Sequence, residues 1–215
     1  GWYGLSINPN LKLAVYPRQS NVNKDMYTYA LRDISSSKTM FSLEKVFSAF
    51  LTFIKSSAAM PSWSIDGTQF AFVGTHQDQV VPPIKFELFL VNQDGDIEQL
   101  TNLSSVGYVW PSSHSWSADN SHIAFFLSPP QAGGFENANI AIVNTNTLEV
   151  TDFCLSIGLH GSGGATLVWS PDGKQFLVVD GYKEGHQRVL LIDIEKHIVF
   201  PIAEDAEPIG WMVKP

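Results

Sequence analysis

A tryptophan–serine pair recurs at a fixed interval, and this repeat constrains the fold more than any other feature of the sequence. Trp63, Trp116 and Trp169 are each followed by serine, and both intervals between them are 53 residues. Two residues after each serine, an Asp-Gly or Asp-Asn pair begins, and an apolar run follows it. Self-similarity at such a period is the signature of a repeat architecture. The chain therefore contains at least three copies of one structural unit.

Two weaker copies flank these three. Near the start, Leu5 takes the place of the tryptophan, 58 residues before Trp63, and the apolar run that follows is 12–16. Near the end, Trp211 stands 42 residues after Trp169, with too few residues printed after it to complete a unit. We therefore expect four full units and one trailing strand.

Each unit predicts four strands in the same order. Gly and Asn tolerate the positive φ of a tight turn, so the Asp-Gly or Asp-Asn pair joins a first strand to a second. The second strands are apolar on both faces, which indicates burial on both faces. The predicted second strands are 70–73, 123–127 and 176–179; the third strands are 27–32, 86–92, 139–144 and 188–193; the fourth strands are 38–43, 97–101, 148–153 and 198–203.

Short strands at regular spacing, with no helix between them, argue against a parallel α/β sheet. Four-stranded units in tandem are typical of a β-propeller, whose blades stack face to face. We therefore predict an all-β fold, a β-propeller of four-stranded antiparallel blades in a single domain, 1–215. The blades span about 4–60, 61–112, 113–164 and 165–207, and 208–215 is the trailing strand.

The string Trp169-Ser170-Pro171-Asp172-Gly173-Lys174 resembles the TolB-like, or PD40-type, propeller repeat, which is WD40-like. Trp63-Ser64-Ile65-Asp66-Gly67 lacks only the proline. The family usually closes six or more blades, so the resemblance implies either a fragment of a larger propeller or an unusual closure. Open blade faces would permit self-association. Such repeats occur in protein-binding periplasmic propellers and in substrate-gating propellers of prolyl-oligopeptidase-like enzymes, which implies a periplasmic or extracellular location.

Charge and hydropathy exclude several classes of partner. The chain has 13 Lys+Arg against 21 Asp+Glu, a net charge of -8, and no basic run, so a nucleic-acid partner is not expected. The longest strongly apolar stretch, 46–54, is far too short to cross a bilayer, so we expect no membrane insertion. From the first residues of this sequence we expect no signal peptide. The lone Cys154 excludes an internal disulfide.

The stretch 46–54 permits two interpretations. Val46, Phe47, Phe50, Phe53 and Ile54 fall at helical spacing, which indicates a short capping helix or a docking surface. An extended connection packed against the blades fits equally well, because nine residues barely test the period.

The repeated motif residues are interpreted as architectural. Tryptophan packs between blades, while serine and aspartate bond the backbone of the turn. The structural motif residues are Trp63, Asp66, Gly67, Trp116, Asp119, Trp169, Asp172 and Gly173.

Histidines and aromatics mark a candidate binding face. In a propeller, the second-to-third-strand loops and the blade connections share one face, while His122 and His197 map to the other. Convergent imidazoles bind metals or anions, but neither spacing nor supporting residues indicate a metal here. Aromatics supply much interface energy, and Phe135 also lies near a connection. The predicted ligand- or partner-binding residues are Tyr108, Trp110, His114, His160, Tyr182, His186 and His76.

Two further segments resemble catalytic or metal-binding motifs, but the residues around them do not complete either motif. His160-Gly161-Ser162-Gly163-Gly164 lacks the first glycine of a nucleophile elbow and precedes a strand rather than a helix. Asp94-Gly95-Asp96 lacks the remaining ligands of a calcium loop and fits a hairpin turn. We therefore predict no catalytic residues, no metal, no cofactor and no enzymatic activity.

Three hypotheses follow. The first is a non-catalytic binding propeller that presents its loop face to a protein or small ligand. The alternative is an accessory propeller that gates substrates of a prolyl-oligopeptidase-like hydrolase whose catalytic domain lies outside this chain. The third is an enzyme with a histidine-lined metal on the propeller axis.

Overall fold

The fold was analysed in a computed structural model. The structure describes residues 5–24, 26–48, 60–76, 85–107, 110–128, 137–158, 167–183 and 185–212. The chain divides into two compact units, Gly1–Ser112 and Ser113–Pro215. We describe each unit by itself, and the single domain expected from the sequence stays a prediction.

Unit 1 holds the first two blades. The first blade consists of β1 (Ser6–Ile7), β2 (Leu13–Gln19), β3 (Tyr27–Asp33) and β4 (Thr39–Ser42). The second consists of β6 (Ser62–Trp63), β7 (Gln69–His76), β8 (Glu87–Asn92) and β9 (Ile97–Gln99), followed by a 3-10 helix at Leu103–Val106. All pairings are antiparallel.

A short additional strand, β5 (Val46–Ser48), joins the two blades of unit 1. It pairs with β3 at Tyr27 and with β7 from Gly74 to His76, so both blades belong to one continuous sheet. For 46–48 the extended interpretation of the apolar stretch is therefore confirmed and the helical one is wrong, while 49–54 lie outside the described residues.

Unit 2 holds two four-stranded blades. The third blade consists of β10 (Trp110–Trp116), β11 (His122–Ser128), β12 (Asn137–Asn144) and β13 (Val150–Gly158). The fourth consists of β14 (Leu167–Trp169), β15 (Gln175–Lys183), β16 (His186–Asp193) and β17 (Ile198–Glu204). Both blades keep the strand order of the chain, which confirms the predicted order.

Each unit buries one apolar cluster between its two blades. In unit 1, alternate residues of β2 and β3 share a cluster with Phe70, Phe72 and Phe89. In unit 2, Ala124 and Phe126 of β11 share a cluster with Phe176 and Val178 of β15. Side chains alternate between the faces of a strand, so the central parts of the second strands, which are buried on both faces, are apolar at every position: 70–73, 123–127 and 176–179.

A repeated hydrogen-bond network builds the turn between first and second strands. In each copy the serine hydroxyl donates to the aspartate two residues later and accepts the backbone N–H five residues later. The donations measure 2.6 Å in all three copies, from Ser64 to Asp66, Ser117 to Asp119 and Ser170 to Asp172. The hydrogen bonds that the serine Oγ atoms accept from the backbone N–H groups of Gln69, His122 and Gln175 measure 3.1, 2.9 and 3.0 Å.

The first blade carries the same turn, but two residues later than the sequence suggested. Asn8 Oδ1 accepts the Leu13 N–H at 2.9 Å, which is the role of the serine hydroxyl in the other copies. Ile7, rather than Leu5, therefore occupies the tryptophan position. The sequence pattern places this copy at Leu5 because Leu5-Ser6 resembles the Trp-Ser pair. The pattern does not reveal that the amide oxygen of an asparagine can replace the serine hydroxyl as hydrogen-bond acceptor.

A left-handed residue closes all four turns. The φ angles are 59° at Leu11, 71° at Gly67, 60° at Asn120 and 70° at Gly173. Glycine is favoured there because it has no Cβ atom to strain this conformation, and asparagine is tolerated because its short polar side chain forms local hydrogen bonds. Leu11 is the exception among the four, which explains why this copy was hardest to recognise.

The motif tryptophans tie consecutive blades together within each unit. Trp63 Nε1 donates to the Ser6 carbonyl of β1 at 3.3 Å, and Trp169 Nε1 donates to the Ser115 carbonyl of β10 at 3.0 Å. The architectural interpretation of these tryptophans is therefore supported by a specific contact. Trp211 Nε1 makes the same contact with the Val168 carbonyl of β14 at 3.1 Å, although residues 208–212 are not paired as a strand.

We predict that Gly173→Ala destabilises the fold more than Gly107→Ala. Both glycines have positive φ, so each alanine costs about 1 kcal/mol in backbone strain. At Gly173 a Cβ would also lie 3.0 Å from Asp119 Oδ1, whose carboxylate is held by Ser117, whereas nothing lies within 4 Å at Gly107. Overpacking adds roughly 1–3 kcal/mol at Gly173. If urea denaturation showed that both variants lose the same free energy of unfolding, the turns of the third and fourth blades would not be packed against each other.

Candidate functional site

A cleft between the third and fourth blades is the candidate site. Its volume is about 380 Å³, and it lies at the end of the blades where first strands turn into second strands and third strands into fourth. Turns fixed on a sheet scaffold are good positions for recognition residues. The lining residues are Asp119, His122, Ile142, Asn144, Glu149, Thr151, Asp172, Gly173, Lys174, Ile194, Glu195 and His197.

A second repeated hydrogen-bond pattern stabilises the turns between third and fourth strands. Asn144 Oδ1 accepts the N–H groups of Asn146 and Thr147, at 2.9 and 3.1 Å, and Asp193 Oδ1 accepts the Lys196 N–H at 3.0 Å. Such side-chain-to-backbone bonds stabilise turns.

Four residues after each of these turn starters, a non-glycine residue has positive φ. The angle is 61° at Leu148 and 52° at His197. The turn therefore fixes the backbone of His197 at the cleft, and its imidazole lies 6.0 Å from the ring of Phe153, measured between ring centroids.

The cleft is rich in negative charge. Asp119, Glu149, Asp172 and Glu195 face one lysine, Lys174. Lys174 Nζ lies 2.7 Å from Glu195 Oε1, but both side chains are more than half exposed, so the ion pair contributes little to stability. The net field of the cleft attracts cations.

Both motif aspartates in the cleft are stabilised as carboxylates. Burial opposes the ionisation of Asp119, but hydrogen bonds from Ser117 and Ser121 outweigh it and lower its pKa. The hydrogen bond from Ser170, assisted by the Lys174 N–H, lowers the pKa of Asp172. Asp119 and Asp172 therefore keep their negative charge at mildly acidic pH.

The hydrogen bonds around His122 determine which nitrogen of its neutral ring carries the proton. The Asn144 amide orientation is fixed, because its Oδ1 is used in the turn, so its Nδ2 faces His122 Nε2 at 3.3 Å and donates to it. His122 Nδ1 lies 2.7 Å from Ser121 Oγ, and that hydroxyl donates to Asp119 Oδ2 at 2.7 Å. The neutral Nδ1–H tautomer satisfies every partner, whereas an imidazolium would place two donors face to face.

Burial lowers the pKa of His122. It disfavours the imidazolium and holds the pKa below its usual 6.5, and the nearby Asp119 carboxylate only partly offsets this. The imidazole is therefore neutral at neutral pH.

The predicted loop-face residues that the structure describes do not line the cleft. Tyr108 and His160 fall outside the described residues, and Trp110 begins β10 with its side chain also outside them. In unit 1, His76 on β7 lies 2.7 Å from Gln99 and stands edge-on to Phe89. These predictions stay untested as binding sites.

In unit 2, three predicted residues can be placed. His114 is half-buried on β10. Tyr182 and His186 lie on the hairpin of β15 and β16, at the opposite end of the blade from the cleft. The Tyr182 ring lies over the Arg188 guanidinium at 5.1 Å, and His186 Nδ1 lies 3.5 Å from Asp205. The structure brings Tyr182 and His186 together on one hairpin, and neither lines the cleft.

Sequence reasoning missed the cleft because it treated the motif turns as architecture alone. The signal was present: His122 stands three residues after Asp119, and His197 four residues after Asp193. Once the turns of neighbouring blades are matched, Asp119 and Asp172 occupy equivalent positions, so their neighbours face a common space.

Two features are absent from the described residues. No group of three or more His, Cys, Asp and Glu side chains there has the geometry to hold a metal ion. Within the same part of the chain, we find no helix with the length and hydropathy needed to cross a bilayer.

Comparisons with known proteins match the fold and not the sequence. No family model matches the chain, and no curated protein does. A structure of a prolyl endopeptidase is similar over 93% of this chain and 28% of its own, with TM-score 0.65 and 13% identity. The β-propeller domain of the Trilobed protease from Pyrococcus furiosus is similar over 92% and 56%, with TM-score 0.60 and 14% identity.

A TolB from Agrobacterium tumefaciens is similar over 94% of this chain and 64% of its own, with TM-score 0.52 and 20% identity. The chain thus spans less than two thirds of each of these neighbours. Its fold is a β-propeller of four-stranded antiparallel blades. The resemblance to TolB-like propellers expected from the repeat is confirmed at the level of the fold.

We predict that Asn144→Asp raises the pKa of His122 above 6.5, because the donor facing Nε2 becomes a carboxylate oxygen. In the wild type the pKa lies below 6.5, so the unfolded chain binds more protons. The stability contribution of His122 is therefore complete above pH 6.5 and is lost as the pH falls towards its native pKa. Histidine NMR titration of the wild type and of Asn144→Asp measures the pKa of His122 in each.

Asn92→Asp is the matched control, because Asn92 starts the equivalent turn of the second blade and accepts the Asp94 N–H at 3.0 Å. It should leave the His122 titration unchanged. An unchanged pKa in Asn144→Asp would show that Asn144 does not orient the imidazole.

Proposed function

We propose that the chain is a non-catalytic binding propeller whose cleft in unit 2 takes a positively charged group, such as the lysine or arginine side chain of a protein partner or a small cationic ligand. The observation that carries the proposal is the cleft itself, a concave space with four carboxylates fixed on turns of the blades. Its volume falls within the range of about 300–1,000 Å³ that is typical of ligand pockets.

The lining suits the aliphatic stem and the charged head of such a side chain. Ile142, nearly buried, and Ile194 supply apolar surface. Lysine and arginine bury their stems along apolar surface and keep their charge among polar partners. Among the described residues, no hydrogen bond or ion pair engages the Glu149 carboxylate, so it is the acceptor we assign to the ligand.

The proposal is non-catalytic because the serines of the site serve the turns. Ser117 and Ser170 are each committed to an aspartate at 2.6 Å. Ser121 lies between Asp119 and His122, so the imidazole donates to the hydroxyl instead of accepting its proton. A nucleophilic serine needs the opposite arrangement.

The loop face remains a second proposed contact region, and the neighbour TolB motivates a periplasmic or extracellular location. His76, His114, Tyr182 and His186 are the residues predicted for that face that the structure describes. A nucleic-acid partner does not suit a chain with net charge -8.

A gating propeller is the second candidate, motivated by the likeness to a prolyl endopeptidase and to the propeller domain of a protease. This chain spans only 28% of the first. The complete coding sequence decides between the two candidates. A Gly-x-Ser-x-Gly segment with Asp and His partners in the same polypeptide would favour gating, and its absence would favour the binding propeller.

Histidine NMR tests the cleft directly, because the chain has six histidines and two of them line it. We expect a short peptide with one arginine to shift the resonances of His122 and His197 and not that of His76. The same peptide with glutamate in place of arginine should shift none of them, because the carboxylates repel it.

Variants of the cleft carboxylates supply the controls. Glu149→Gln should weaken arginine-peptide binding about tenfold, which corresponds to the loss of one charge-assisted contact. Glu98→Gln removes the same charge from the exposed side of β9 and should change binding little. Equal effects of both variants, or no peptide-induced shift at all, would contradict the proposal.

A further inference from the structure

The fourth blade has an apolar surface that continues an interface already present in unit 2. Ser117 and Ser170 hold the same place in their turns, so Ala124 and Phe126 of β11 correspond to Leu177 and Val179 of β15. Ala124 and Phe126 form the face by which the third blade packs on the fourth. Leu177 and Val179 therefore belong to the face that the fourth blade turns away from the third.

The third and fourth strands extend this face. Leu177 pairs with Leu191 and Val179 pairs with Val189 across β15 and β16, and Leu191 pairs with Phe200 of β17. Alternation along β17 places Ile198 beside Phe200, while Val199 packs towards the third blade. Ile202 follows at a bulge, where the pairing of β17 shifts between Pro201 and Ala203, and its side chain is exposed. We call this surface the outward face: Leu177, Val179, Val189, Leu191, Ile198, Phe200 and Ile202.

Only part of the outward face is covered. Leu177, Val179 and Val189 are buried, but Ile198, Phe200 and Ile202 are 43%, 40% and 52% exposed. An apolar stripe along an edge strand is unfavourable in water and marks an interaction surface.

The trailing segment 206–212 crosses the inner half of this blade. Gln187 Nε2 donates to the Ala206 carbonyl at 3.1 Å, and Trp211 Nε1 donates to the Val168 carbonyl at 3.1 Å. The second contact repeats the one by which Trp63 and Trp169 begin the next blade of their units. Ile209 and Met212, on this segment, are fully exposed.

We propose that the outward face docks a further four-stranded propeller blade that lies outside residues 1–215, with 206–212 lying where the innermost strand of that blade belongs. Two independent observations carry this: the apolar face matches the one that holds the third blade to the fourth, and Trp211 makes the contact that starts a new blade. The partner blade presents apolar side chains where the fourth blade presents Phe176, Val178, Leu190 and Ile192 to the third.

The first blade of a second copy of this chain does not fit this surface. At the positions that correspond to Val178 and Ile192, the first blade carries Tyr16 and Arg32. Tyr16 Oη lies 3.1 Å from Thr39 Oγ1, and Arg18 donates to Ser42 at 3.0 Å. On this face the small, buried Ala14 and Ala30 therefore lie among polar side chains that are bonded to their neighbours. Placing it against Phe200 and Ile202 would bury a cation without a carboxylate partner.

Photo-cross-linking in the cells that make the complete polypeptide tests the proposal. The variant Phe200→p-benzoylphenylalanine is irradiated, and the cross-linked peptides are identified by mass spectrometry. We expect an adduct with an apolar strand of a propeller repeat outside residues 1–215. The same substitution at Ile202 repeats the test in case the first variant does not accumulate.

The substitution Met40→p-benzoylphenylalanine is the control, because Met40 is 47% exposed on the outer strand of the first blade. It should give less than a tenth of that adduct. An adduct within residues 1–215 of a second copy would overturn the proposal in favour of self-association, and the absence of any adduct at positions 200 and 202 would overturn it in favour of an open surface.

Discussion

The hydrogen bond from a motif tryptophan to the first strand of the preceding blade is the interaction on which the rest of the structure depends. Each indole is both a large apolar body and a single donor, so it fills the space between two sheets and fixes their register with one contact. Trp63 and Trp169 make this bond in their respective units. Because buried donors must be satisfied, a shift of either blade would leave an indole and a carbonyl without partners.

The turns next to these tryptophans connect architecture to the candidate site. The serine–aspartate pair that closes each turn also sets the position and the charge of the aspartate. In unit 2, the turn glycine of the fourth blade packs on Asp119 of the third, so the two turns form one wall of the cleft. The motif aspartates are therefore part of the turn architecture, and in the proposed site the same side chains supply negative charge to the ligand.

Much of the fold followed from the sequence because the repeat signal is strong. Trp169-Ser170-Pro171-Asp172-Gly173 predicts a strand, a left-handed turn and a second strand, and all three are present. The first blade was misplaced by two residues, because Asn8 performs by its amide oxygen what serine performs by its hydroxyl. Residue identity hides such equivalence, while hydrogen-bond geometry reveals it.

The candidate site was harder to predict, because it depends on how two blades pack. His122 and Lys174 are 52 positions apart in sequence, and no local pattern indicates that they share a cleft. The tautomer of His122 depends on an asparagine whose orientation is fixed by its own turn. The loop-face histidines and aromatics remain predictions, because Tyr108, the side chain of Trp110 and His160 lie outside the described residues.

Hydrogen exchange of the tryptophan indole N–H groups tests the central claim most directly. The chain has six tryptophans, and their indole protons give separate NMR signals. If Trp63 and Trp169 tie consecutive blades together, their indole protons exchange at least about a hundredfold more slowly than in the unfolded chain, because exchange requires the blades to separate. Exchange at the unfolded rate for both tryptophans would contradict the account.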